Sequence, residues 1–90
     1  MAARGFLLAG AVVLMGAAAP PPGAASCSGC HGAANPDGIP PIAGRPVADL
    51  AAALNGFRDG SRKATLMDRL AKGFTPAELQ AIAAWWSEQP

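Results

Sequence analysis

Three stretches of this 90-residue chain carry helical apolar patterns, and a fourth is apolar throughout. In Pro46 to Phe57, the residues Val47, Leu50, Leu54 and Phe57 recur at spacings of three, four and three. That spacing lays a single apolar stripe along an amphipathic helix, and a proline suits its first turn. Gly60 ends the unit. Residues 62–72 predict a second, shorter helical piece, with Leu66 and Leu70 on one face and Gly73 as its stop. Thr75-Pro76-Ala77-Glu78 is a capping box: hydroxyl at the cap, proline first, glutamate third. Leu79, Ile82, Trp85 and Trp86 then share a face. No segment alternates with the period of a strand and nothing repeats, so the pattern predicts an all-α domain.

The fourth stretch is Phe6 to Ala19, an unbroken apolar run of 14 residues behind the positively charged start Met1 to Arg4. A membrane span needs about 20 residues. The run has the length and flanks of a secretory signal instead. Cleavage after Ala19 would leave Pro20 at the new terminus, which signal peptidases disfavour. A cut near Ala25, with Gly23 two residues before it, is the expectation. The alternatives are an uncleaved anchor and a lipoprotein acylated at Cys27, the latter without the usual Leu three residues before its cysteine. Pro20-Pro21-Pro22-Gly23 reads as a stiff, disordered spacer. The expected organisation is therefore a signal peptide and Pro/Gly/Ala-rich spacer over 1–25 and one domain over 26–90, in the periplasm.

Charge excludes one class of partner. Residues 26–90 hold six basic and six acidic side chains, and the whole-chain net charge of +1 comes from Arg4. No basic patch interleaved with aromatic residues points to nucleic acid. A domain this small buries little and needs a staple such as a disulfide, a metal or a cofactor. Gly32 to Arg45 is loop, punctuated by Asn-Pro, Asp-Gly and Pro-Pro. It is long for so small a domain, and such loops wrap something or carry function.

The segment Ser26-Cys27-Ser28-Gly29-Cys30-His31-Gly32 holds both cysteines and the one histidine. Four readings compete. A disulfide between residues three apart would staple little of the chain, although export would favour it. A thioredoxin-like dithiol needs a strand and a βαβ context. Structural zinc needs four ligands, and the chain offers Cys27, Cys30 and His31. The fourth is covalent haem, for which C-x-x-C-H is the attachment signature. Two thiols a helical turn apart can add across the two vinyl groups of one haem, which carries the adjacent His31 under the iron. The sequence favours this reading, because haem also supplies apolar surface to a domain that lacks it. One histidine excludes bis-His ligation within the monomer. Met67, the one methionine of 26–90, is the best second axial ligand, since Met beside His raises the potential as in electron-carrying cytochromes. The plain alternative is that Met67 fills core space, and Lys63 and Lys72 are more distant candidates. A backbone carbonyl of Ile39-Pro40-Pro41-Ile42 is the natural partner for the other nitrogen of His31. No nucleophile–base pair or spare histidine suggests catalysis, so the chain reads as an electron-transfer protein and not an enzyme.

The order Cys-x-x-Cys-His, a proline loop, an amphipathic helix, a Met and a terminal helix resembles the class I c-type cytochromes over nearly all of 26–90. The resemblance implies three to four helices around one covalently bound haem c. It makes Cys27 and Cys30 the thioether anchors and His31 and Met67 the axial iron ligands. It also gives the Pro40 carbonyl to His31. Two features depart from the family: Asp68 follows Met67 where proline is frequent, and almost no chain precedes Cys27 to form the usual first helix. The segments Phe57-Arg58-Asp59-Gly60, Thr65 to Thr75 and Ile82 to Trp86 are similar to the cytochrome subunit of flavocytochrome c sulfide dehydrogenase. That similarity implies a flavoprotein partner, carrying FAD, that oxidises sulfide and passes electrons to the haem. A free periplasmic carrier between other redox enzymes is the alternative. A haem sensor with an open sixth site is a third reading.

Overall fold

The computed structural model describes residues 19–32 and 38–90, with Gly5 and Gly10. The apolar run read as a signal and residues 33–37 of the loop lie outside the described residues, the two glycines and Ala19 apart. Among the described residues four helices follow one another: α1 (Ser28–His31), α2 (Val47–Asp59), α3 (Met67–Ala71) and α4 (Pro76–Ser87). A 3₁₀ turn over Ala25–Cys27 runs directly into α1. No strand occurs among the described residues, as the sequence pattern predicts.

The α2 helix starts one residue later than the sequence places it. Pro46 has an extended ψ of 137°, so it caps the helix and does not join its first turn. Its carbonyl takes the amides of Asp49 and Leu50, both at 3.1 Å. The helix runs two residues past Phe57 and stops at Gly60, whose φ of +85° is a left-handed conformation that costs glycine little. Leu50 of its stripe is buried; Val47, Leu54 and Phe57 are half-buried.

The second helical piece is shorter than 62–72. Only Met67–Ala71 is helical. The amide of Arg62 donates to Gly56 at 3.0 Å, which ties the chain back onto α2. The Arg62 guanidinium also lies over the Phe57 ring at 5.0 Å. These ties hold the chain in a turn where a longer helix would need it straight.

The capping box on α4 is complete. Glu78 donates its amide to Thr75 Oγ1 at 3.2 Å, and Thr75 donates its amide to Glu78 Oε1 at 2.9 Å. α4 buries Leu79, Ile82, Ala83 and Trp86. Trp85 is half-buried and meets Trp86 edge-on at 5.0 Å between ring centroids. α2 packs against both α3 and α4. Among the described residues the core cluster is small: Ala24, Leu50, Ile82, Ala83 and Trp86.

Ala24 in that cluster comes from the stretch read as spacer. Pro21–Ala24 makes a turn, with the Ala24 amide donating to the Pro21 carbonyl at 3.0 Å. Gly23 takes φ +86°, and a Cβ there would run into the Phe74 ring. Ala24 itself is fully buried.

Candidate functional site

The turn ahead of Cys27 fixes the first cysteine. The Cys27 amide donates to the Ala24 carbonyl at 3.2 Å, and Ser28 Oγ donates to Ala25 at 2.7 Å. From there one helical turn carries Cys30 and His31. The two cysteines are not joined by a disulfide. Cys27 is half-buried, and burial pushes its thiol up; the neighbouring Trp86 side chain and the Cys27 backbone pull weakly the other way.

His31 is fixed from the other side. Its Nδ1 lies 2.7 Å from the Pro40 carbonyl oxygen, which can only accept. Nδ1 therefore carries a proton, and in the neutral ring Nε2 keeps its lone pair. The loop that carries Pro40 is tied to α4 at Gly44, which donates its amide to the Trp86 carbonyl at 3.0 Å.

Cys27, Cys30, His31, Pro40 and Met67 line one cavity of about 710 Å³. Its walls are apolar, with Leu50, Leu54 and Phe57 from α2, Leu70 from α3, and Ile82 from α4. Arg45, Arg62 and Lys63 also line it, against Asp49. Lys63 thus reaches the cavity and Lys72 does not line it. Leu66 and Leu70, 52% and 48% exposed, belong to the same lining. Trp86 lines it as well.

These residues fit a haem. The volume lies within the range of binding pockets for large organic ligands. The apolar walls suit a flat apolar body, and the cationic side chains suit carboxylates at its edge. Two thiols, an oriented imidazole and a thioether are the donor set that covalent haem would need. The small core supports the same reading, since a domain of this size needs more apolar surface than it buries by itself. Among the described residues no group of three or more His, Cys, Asp or Glu is placed to hold a metal ion. Asp68 points one carboxylate oxygen into a buried position where it has no partner among the described residues.

Sequence reasoning missed the part played by Gly23, Ala24 and the Trp86 indole. The Trp86 Nε1–H donates to the same Ala24 carbonyl, at 3.0 Å and buried. A signal was present: Pro22-Gly23 in the middle of Pro21-Pro22-Gly23-Ala24 is the type II turn pattern, proline then a glycine with positive φ.

No family model matches the chain. It is 44% identical over 75 residues to the thiosulfate dehydrogenase electron acceptor of Thiomonas intermedia, covering 79% of this chain and 35% of that protein. It is 42% identical over 66 residues to the cytochrome subunit of sulfide dehydrogenase of Chlorobaculum tepidum, covering 68% of this chain and 57% of that protein. With cytochrome c-554(548) of Halomonas halodenitrificans it shares 34% identity over 71 residues, 71% of this chain and 84% of that protein. The chain thus spans about a third and a little over half of the first two relatives.

Proposed function

The chain belongs to the small c-type cytochromes, and on that premise we propose that it carries one covalent haem c and transfers electrons from a dehydrogenase of reduced sulfur compounds. The observation that carries the reading is the convergence of Cys27, Cys30, His31 and Met67 on one apolar cavity. Cys27 and Cys30 would hold the haem through thioethers. Each cysteine would offer its thiol to one vinyl group of that haem. Bound there, the haem would supply reversible one-electron chemistry at its iron. His31 and Met67 would supply a nitrogen and a sulfur ligand to the iron, and the Pro40 carbonyl, accepting from Nδ1 of His31, would leave Nε2 for that role. Leu54, Phe57 and Leu70 would give the haem apolar walls, and Arg45, Arg62 and Lys63 would balance its carboxylates.

The proposed partner class follows from relatives named as an electron acceptor of thiosulfate dehydrogenase and as a subunit of sulfide dehydrogenase. Within that class we favour a flavoprotein sulfide dehydrogenase. The match over 84% of cytochrome c-554(548), a name that specifies no dehydrogenase, favours a free carrier as the second reading. Export to the periplasm is part of the proposal. No helix among the described residues is long and apolar enough to cross a membrane. Affinity purification from the native host separates the readings. A haem-bearing chain that brings down a flavoprotein able to reduce it with sulfide supports the first. Reduction by thiosulfate through a partner without flavin shifts the partner within the class, and a chain recovered alone supports the carrier.

A further inference from the structure

We propose that Pro21–Ala24 stays on the mature protein as a fixed part of its fold, so that export processing falls on the amino-terminal side of Pro21. The inference rests on the export reading above, and it replaces the cut near Ala25 that small residues alone suggest.

Four observations carry it. Ala24 is 0% exposed and sits in the core cluster with Leu50, Ile82, Ala83 and Trp86. Its carbonyl takes two donors, the Cys27 amide at 3.2 Å and the Trp86 indole at 3.0 Å. The Gly23 carbonyl takes Ser26 Oγ at 2.6 Å. Gly23 also packs so closely on Phe74 that only a glycine fits, at a φ that favours glycine. A spacer has no reason to meet any of these conditions.

A cut next to Ala25 would undo them together. It would remove the carbonyls of Gly23 and Ala24, on which the turn carrying Cys27 hangs. The buried Trp86 N–H would lose its acceptor, which is costly where water does not replace it. A new ammonium group would stand at Ser26, beside a half-buried thiol. Pro21–Ala24 thus acts as a clasp: one turn pinned by α4 sets where the first attachment cysteine lies. In this chain it does the work of a helix ahead of the haem motif.

The test is the intact mass of the holoprotein, made from the full 90-residue chain in a bacterial host that matures c-type cytochromes. We expect an amino terminus at or before Pro21; an intact leader also keeps the clasp. A terminus from Pro22 to Ser26 overturns the proposal. The same spectrum reads haem separately, because a chain without the added haem mass contradicts the cofactor reading whatever its terminus. A second comparison joins one export leader directly to Ala19 or directly to Ser26. The Ser26 version should give several-fold less haem-bearing protein and a lower unfolding temperature. Equal yield and equal unfolding temperature would overturn the clasp.

Discussion

The indole of Trp86 donates to the carbonyl of Ala24 at 3.0 Å in a buried position, across 62 positions of sequence. The Trp86 carbonyl meanwhile accepts from Gly44 at 3.0 Å. One residue of the last helix therefore fixes both segments that hold the site: the turn before Cys27 and the loop that carries Pro40. Trp86→Phe keeps most of the apolar ring and loses only the indole donor. Because Ala24 still accepts from Cys27, the loss should be about 1–2 kcal/mol. For a domain of this size that is roughly 4–16 °C in Tm. Thermal unfolding of the holoprotein measures it, and an unchanged Tm would show that the bond contributes nothing.

Gly23→Ala places a Cβ at φ +86° against the Phe74 ring. Left-handed backbone costs a non-glycine residue about 1–2 kcal/mol before any clash is counted. Denaturant unfolding should show a lower midpoint with an unchanged m-value. Gly29→Ala is the control, since a Cβ there meets nothing within 4 Å, and its helical position should tolerate alanine.

The capping box of α4 is testable by a double-mutant cycle. Thr75→Ala should cost about 1 kcal/mol, as expected for a helix cap. Glu78→Ala should cost less. If the two bonds at 3.2 and 2.9 Å act as one unit, the double mutant will be more stable than the summed singles imply. Strict additivity would contradict that coupling.

Asp59 gives a pH dependence of known sign. The Ser61 side chain and backbone amide, the latter donating to Oδ1 at 2.8 Å, hold its carboxyl below the usual carboxylate range, with a smaller contribution from Arg58. A folded-state pKa below the unfolded value means a contribution to stability that is present above the usual range. It is lost as pH falls through the lowered value. Asp59→Asn should flatten this part of the stability profile in acid and leave the profile near neutrality parallel to wild type. An unchanged acid limb would refute the assignment.

Cys27→Ser and Cys30→Ser each remove one proposed attachment point. Each should leave haem held by one thioether, with a lower yield of holoprotein, and the double variant should lose its haem to acid-acetone extraction. Haem that resists extraction in the double variant would contradict attachment at this motif.

Much of this was legible in the sequence, for identifiable reasons. The α4 start was visible because a capping box is a local, reciprocal arrangement of Thr75 and Glu78. The α2 stripe was visible because Val47, Leu50, Leu54 and Phe57 keep helical spacing. The α3 helix was overextended because the tie from Arg62 to Gly56 is a tertiary event that spacing does not reveal. Pro46 was off by one residue because its ψ, not its φ, decides whether it caps or joins a helix. The Pro21–Ala24 turn is hidden because three consecutive prolines suggest a linker by composition, although Pro22-Gly23 marks a turn. What composition could not tell was that a tryptophan 62 positions away would be waiting for the Ala24 carbonyl. The site motif itself, Cys27 to His31, is contiguous, but its meeting with Met67 in one cavity depends on how α3 packs on α2.

The most direct test of the central claim is the visible spectrum of the purified oxidised holoprotein, wild type against Met67→Ala. Wild type should show the weak Met–iron charge-transfer band and bind carbon monoxide slowly when reduced. Met67→Ala should lose the band, bind carbon monoxide rapidly and titrate at a lower potential. A wild-type protein with no covalent haem spectrum, or a band that survives loss of Met67, would contradict the account.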